Sequence, residues 1–269
     1  MDGLQLIRSG GVLTVQLHRP ERHNAIHLAM WERFAALMPE LDADDEVDVV
    51  VLRGPPGGPF SAGADISEFQ TLRSTPESAQ RYSQALEAGE GAIRDLRKPT
   101  IAMVEGFAIG GGSQVALACD LRVCEPASRF GITPAKLGIV YGLASTARLV
   151  DVVGSAWARW ILLTGELLDA ETALRIGLVH QVVPREHLES RTTQLAALLS
   201  SRARVSLLGG KALIDRVVAG RREEDDEVRG HYARSLHSPE YAEGVAAFLA
   251  KRAPDFRGAR TAPAAAPEP

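Results

Sequence analysis

The sequence predicts an α/β fold on three observations. Its first half alternates short strand-like apolar runs with helical patterns. From about residue 143 the apolar spacing becomes helical almost throughout. A chain of 269 residues with 45% hydrophobic and 24% charged content suits one large soluble domain with an ample core.

Leu4 and Leu6 alternate with polar residues, Ser9-Gly10-Gly11 signals a turn, and alternation resumes with Leu13, Val15 and Leu17, so the chain opens as a hairpin. After Arg19-Pro20, Leu28, Trp31, Phe34, Leu37, Met38 and Leu41 recur at threes and fours and predict a helix. Asp42 to Asp48 is acidic and ends it, and Val47 to Leu52 is an apolar run of strand length. Gly54 to Pro59 is a loop by composition. Pro76 to Leu96 reads as a helix, Thr100 to Val104 as a strand, Gln114 to Cys119 as a helix and Leu121 to Cys124 as a strand. The strand–turn–helix unit therefore repeats, without the tight period of a solenoid. In the helical half, Trp157, Trp160, Ile161 and Leu162 make one apolar stripe and Ala170 to Ile176 another, and all three tryptophans are expected in the core. Leu178 to Val183 reads as a short strand, with helices over about 185–200, 203–219, 224–237 and 240–251. Arg221 to Glu227 is a solvated charge run, and the Ala/Pro/Thr-rich residues 259–269 are expected to be disordered.

Thirty basic against 34 acidic side chains give a net charge of −4, which offers no general drive toward nucleic acid or anionic membranes. No run approaches a membrane span, and the N-terminus lacks the pattern of a signal peptide. Two cysteines, Cys119 and Cys124, are too few for a disulfide framework and fit a reducing cytoplasm, where the protein is expected to reside. His18, His23 and His27 match no metal-binding spacing, so no metal is expected.

Two stretches carry the candidate chemistry. Gly106 to Gly112 follows a strand and opens a helix, so free backbone N–H groups converge there. Neither the dinucleotide fingerprint nor the P-loop spacing is present. That leaves close backbone packing or an oxyanion hole, in which peptide N–H groups meet a carbonyl as it becomes negative. Ser61-Ala62-Gly63-Ala64-Asp65-Ile66 is small enough to let a ligand approach the backbone, although Asp65 also reads as a plain helix cap. No nucleophile elbow of the α/β-hydrolase kind occurs.

Together these stretches resemble the enoyl-CoA hydratase/isomerase family, the crotonase superfamily. The likeness runs over about residues 4–258, through Phe60 to Ile66, Val104 to Gly112, Ala118 to Arg122, Phe130-Gly131, Leu137-Gly138, Leu163 to Gly165, Ile176 to Val179 and Phe248 to Arg252. The resemblance implies a crotonase-like ββα spiral over residues 1–200, a C-terminal helical trimerisation region over 201–258, and a tail beyond. It implies an acyl-CoA substrate, no cofactor beyond the CoA moiety, and a homotrimer or homohexamer. Carried over by position, the thioester oxygen is held by the N–H groups of Ala64 and Gly111. Ala62, Gly63, Asp65 and Ile66 line the adenine side of CoA, and Arg22 is placed to meet its phosphates.

The chain departs from the hydratase pattern where two glutamates are expected, having Gln114 and Pro134 instead, and Gly142 stands where some isomerases carry an acid. Phe130 to Tyr141 resembles the decarboxylating branch, represented by methylmalonyl-CoA decarboxylase, though that branch often has histidine at Ala64 and glutamate at Gln114. Losing CO₂ from a β-carboxy acyl thioester yields an enolate with no base to remove a proton. Tyr141 would orient the carboxylate or supply the proton, or else form a packed wall, and Lys136 reads as a surface residue. The expectation is an acyl-CoA lyase that stabilises a thioester enolate and decarboxylates; the alternatives are a true enoyl-CoA hydratase and a non-catalytic acyl-CoA-binding protein.

Overall fold

The computed structural model describes residues 3–261. Leu4–Ser9 (β1) and Val12–Leu17 (β2) pair antiparallel, with Leu4 opposite Leu17. Leu13, Val15 and Leu17 all point into the core, as their alternation requires. His27 caps the next helix, its Nδ1 accepting from Met30 N at 3.2 Å, and Leu28–Ala43 (α1) buries Trp31, Phe34, Leu37, Met38 and Leu41 along one side. Val49–Arg53 (β3) is buried at every residue, the signature of a strand covered on both faces.

Three successive turns of a spiral follow. In the first, β3 leads to Ser61, which bridges Ala108, and then to Phe69–Leu72 (α2) and Pro76–Asp95 (α3). In the second, Thr100–Val104 (β4) leads to Phe107–Ile109 (β5) and Gly111–Ala118 (α4). In the third, Leu121–Cys124 (β6) leads to Arg129–Gly131 (β7) and Leu143–Thr164 (α5). Leu168–Asp169 (β8), Ala170–Arg175 (α6) and Gln181–Val182 (β9) complete the sheets. The first strand of each turn joins a six-stranded sheet in the order β1-β2-β3-β4-β6-β9; the second strand of the second and third turns joins a three-stranded sheet, β5-β7-β8, which Ser61 of the first turn meets by its bridge to β5. This is the expected ββα spiral.

Arg185–Ser200 (α7) covers the far face of the large sheet, with Leu188 and Ala196 against Val49, Val51, Ile101 and Val123. Arg204–Val218 (α8), Asp226–Leu236 (α9), Pro239–Leu249 (α10) and Phe256–Thr261 (α11) form the C-terminal helical region. The last of these corrects the expected tail: the segment holding Phe256 carries a regular helix through Thr261, tied down by Arg257 and Arg260. Residues 262–269 lie outside the described residues. Trp160 is a second correction, since it is 51% exposed while Trp31 is fully buried. A periodic stripe identifies an apolar face but not what covers it.

One buried carboxylate joins the C-terminal helices to the spiral. Asp48 Oδ1 accepts from Arg204 Nη2 at 2.7 Å and from Arg260 Nη2 at 2.8 Å, and its Oδ2 accepts from Ser200 at 3.0 Å. Burial raises its pKa, but the hydrogen bonds of Arg204 and Ser200 and the charge of Arg260 outweigh this and hold it below the usual range. The Asp48 contribution to stability is therefore complete above about pH 4 and is lost as pH falls through the lower folded value. Asp48→Ala removes one partner each from Arg204 and Arg260, which keep Asp45 and Glu240, and is expected to cost about 1–3 kcal/mol in urea denaturation at neutral pH, with a smaller deficit near pH 3.

Candidate active site

The loop Ser61 to Asp65 is pinned from two sides. Ser61 N donates to Phe107 O and Ile109 N to Ser61 O, both at 3.0 Å, which lays the loop along β5. On the other side Ile26 N donates to Gly63 O at 2.7 Å and Asp65 N to Ile26 O at 2.9 Å. Asp65 is buried, with Oδ2 accepting from Arg19 at 2.9 Å and Oδ1 from the Ser67 hydroxyl at 2.6 Å. Those bonds, the Ser67 hydroxyl foremost, hold its carboxyl below the usual range against the opposing effect of burial.

Two glycines allow the loop to touch the start of α4. Gly63 has φ +103°, and a Cβ there would come 2.7 Å from Ile109 O. A Cβ on Gly112 would come 2.7 Å from Ser61 O. The approach brings two amides together: a Cβ on Gly111 would lie 3.3 Å from Ala64 N, and one on Gly63 would lie 3.5 Å from Gly111 N. A Cβ stands about 2.5 Å from its own nitrogen, so Ala64 N and Gly111 N are within about 6 Å. One oxygen can accept from both at that spacing. Neither N–H has a protein acceptor among the described residues, and both residues line the same cleft, of about 260 Å³. Gly111 also opens α4, whose dipole favours negative charge at that end.

The cleft wall holds most of the expected residues. Ala62, Gly63, Ala64, Ile66 and Gly111 line it, as do Gln114, Pro134, Tyr141 and Gly142. Arg22 and Asp65 do not: Arg22 lies exposed in the 3₁₀ turn Pro20–Arg22, and the Asp65 side chain is taken up by its loop. Lys136 is exposed, as expected. Tyr141 Oη is buried with no hydrogen-bond partner, and burial, reinforced by the Glu90 charge, raises its pKa well above 10. The hydroxyl thus stays protonated at neutral pH, a donor and not a base. Burial also pushes both cysteine thiols up to about 12, which leaves them inert.

Several cleft groups are ones that sequence reasoning missed. Gln114 Nε2 donates to Glu90 Oε2 at 3.1 Å and to Ser145 Oγ at 2.8 Å. Ser145 in turn donates to Glu90 at 2.5 Å, and Arg148 reaches the other Glu90 oxygen at 3.0 Å. Glu90 is buried, and burial raises its pKa against these three donors. Glu87, one turn earlier on α3, lines the cleft itself, and a Cβ on Gly142 would lie 4.0 Å from its Oε1. Arg73 is the cation of the cleft wall. The signal for Glu90 was present: it falls on the apolar stripe of α3 with Tyr82, Leu86 and Ile93, where a charge requires partners.

A spiral of ββα turns with two unpaired backbone N–H groups beside one cleft is the architecture of an α/β enzyme of the crotonase type. Residues 8–259 match the family model described as enoyl-CoA hydratase/isomerase, and the chain belongs to that family. It is 34% identical to a "Probable enoyl-CoA hydratase" of Mycobacterium leprae, over 95% of this chain and 96% of that one. It is also 34% identical to carnitinyl-CoA dehydratase of Salmonella typhi, over 96% and 99%. A solved enoyl-CoA hydratase/carnithine racemase of Magnetospirillum magneticum superimposes with a TM-score of 0.91 at 35% identity, covering 95% of this chain and 96% of that one.

The Gly112–Ser61 approach leaves no room for a methyl group. Gly112→Ala is expected to destabilise the fold by about 1–3 kcal/mol in thermal or urea denaturation, because the added carbon would meet backbone instead of a flexible side-chain end.

Proposed function

We propose that this protein acts on acyl-CoA thioesters, holds the enolate oxygen between the Ala64 and Gly111 N–H groups, and reaches the enolate by loss of CO₂. The carrying observation is that pair of amides, close together and without protein acceptors among the described residues, in a cleft with no carboxylate at positions 114 and 134. Each such donor contributes roughly 3–4 kcal/mol at a transition state. In the step, the bond from the α carbon to the carboxyl carbon breaks. Its electron pair passes to the thioester oxygen through the enolate, and CO₂ departs. The α carbon then takes a proton from Tyr141, which recovers one from solvent. Gln114 has both amide hydrogens engaged by Glu90 and Ser145, so it offers an acceptor oxygen and moves no proton. The nucleotide of CoA lies along Ala62, Gly63 and Ile66, with Arg22 toward its phosphates and Asp65 holding the loop in shape.

A specific observation favours a second reading. Glu87 Oε1 stands beside Gly142, where some isomerases carry their acid. A single carboxylate there would support double-bond migration or hydration, in keeping with the hydratase names of the relatives.

The readings separate on two substrates. With methylmalonyl-CoA, CO₂ release is expected, slowed about a hundredfold in Tyr141→Phe and unchanged in Glu87→Gln. With crotonyl-CoA, the enoyl absorbance is expected to persist. Rapid hydration that Glu87→Gln abolishes would replace decarboxylation by the second reading, and tight thioester binding without any product would make the protein a binder.

Self-association belongs to the same proposal. Trp160, Leu163 and Leu143 on α5, and Phe248 and Leu249 on α10, are exposed, Phe248 by 82%. Sedimentation equilibrium is expected to return about three or six times the chain mass of 28.9 kDa, and a monomer at micromolar concentration would refute it.

A further inference from the structure

The cleft holds a guanidinium with nothing to pair with. Arg73 ends α2, and its Cζ stands 4.7 Å from the Phe69 ring centroid and 5.2 Å from that of Tyr82. Those two rings meet edge to face, with centroids 5.6 Å apart. The two rings hold the guanidinium half-buried on the cleft wall. Among the described residues no carboxylate pairs with it. Glu77, the nearest in sequence, bonds with Thr75 at the start of α3, Glu68 accepts from Leu28 N at 2.9 Å, and Glu87 is placed against Gly142. Beside the stack, Tyr82 Oη is also buried with no hydrogen-bond partner, and burial pushes its pKa up to about 12, so it remains a donor. A held cation next to an unused hydroxyl, with apolar Phe69 and Leu86 beside them in the cleft wall, is a receptor for an anion.

We infer that Arg73, assisted by Tyr82, binds a carboxylate at the far end of the acyl chain that the reaction leaves in place, so that the product is the CoA thioester of a dicarboxylic acid. This rests on the acyl-CoA reading of the same cleft. The place of the stack decides which carboxylate. Tyr82 neighbours Trp31, and Trp31 Cζ2 would contact a Cβ on Gly111 at 3.2 Å. Arg73 thus meets Gly111 only through Tyr82 and Trp31 in succession, a spacing that suits a group several bonds from a thioester carbonyl held at the amides. A carboxylate on the α carbon would not reach it, and a departing carboxylate would be held back by a cation. The group Arg73 takes is one that stays on the product. A CoA phosphate is the other anion on such a ligand, but the phosphates belong to the nucleotide, which is common to every acyl-CoA.

Glutaryl-CoA and pentanoyl-CoA share that nucleotide and differ only in the terminal group. Their dissociation constants, measured by calorimetry on the full chain, test the inference. Wild type is expected to bind glutaryl-CoA about ten- to a hundredfold more tightly. Arg73→Met, which keeps a stem over the rings, is expected to erase that preference and leave pentanoyl-CoA within about twofold of wild type, while Arg73→Lys restores part of it. Equal losses for both thioesters in Arg73→Met would assign Arg73 to a phosphate or to the wall, and a wild type without preference would remove the subsite; either overturns the inference alone. If neither thioester binds wild type, the acyl-CoA reading falls with it.

Discussion

The site depends on one close approach, the packing of the loop at Ser61 to Ala64 against the first turn of α4. Each partner has its own support: the loop lies along β5, and α4 grows directly out of β5. Their junction is nevertheless made of backbone against backbone, with Gly63 facing Ile109 O and Gly112 facing Ser61 O. No side chain could be inserted or trimmed there to adjust the spacing. Two N–H groups are consequently left at a distance set by main-chain geometry alone, which is what the proposed oxyanion role requires, because donors that must rearrange lose much of their advantage. The parallel pairing of β5 with β7 extends the constraint: Gly110 N donates to Gly131 O at 2.7 Å and Ser113 Oγ to the same oxygen at 3.0 Å. Three turns of the spiral thus meet within one ladder.

Much of this was legible in the sequence. The strands β4 and β6 are predicted to the residue, because short β-rich apolar runs bounded by turns have few alternatives. The glycines at 63 and 110–112 announced close approach, and the structure puts them in contact. What stayed hidden was tertiary. Trp160 and Leu163 obey the same helical period as Ile161, but nothing local says that only Ile161 faces the core. Glu87, Glu90 and Arg73 come from a stretch that passes as an ordinary amphipathic helix and its approach. Glu87 and Arg73 line the cleft from α3 and the end of α2, and Glu90 stands behind its wall, bonded to Gln114 of α4. Asp65 was legible in two ways, and its capping role is the one its side chain performs.

The Gln114 cluster shows how a missing acid changes the neighbourhood and not one position alone. A glutamate at 114 would lie within hydrogen-bonding distance of Glu90, and two buried carboxylates could not both be ionised there. An amide removes that conflict and donates to Glu90 instead. Arg148 and Ser145 complete the set, so Glu90 is fully satisfied and the Gln114 amide has one stable orientation. The carboxylate is thereby withdrawn from chemistry in the cleft and spent on holding Gln114 in place.

The polar groups remaining around the two amides share a property. The N–H groups of Ala64 and Gly111 only donate, and the hydroxyls of Tyr82 and Tyr141, with pKa values raised by burial, are donors at any physiological pH. The Gln114 oxygen accepts but cannot hold a proton. Such a lining stabilises a negative oxygen once it exists and offers little to create one by deprotonation. The exception is Glu87, and it comes from α3, beside the empty space at Gly142. Whether the enolate proposed for this cleft would form by loss of CO₂ or by proton transfer therefore reduces to one side chain, which comes from α3 and stands beside position 142 instead of growing from it.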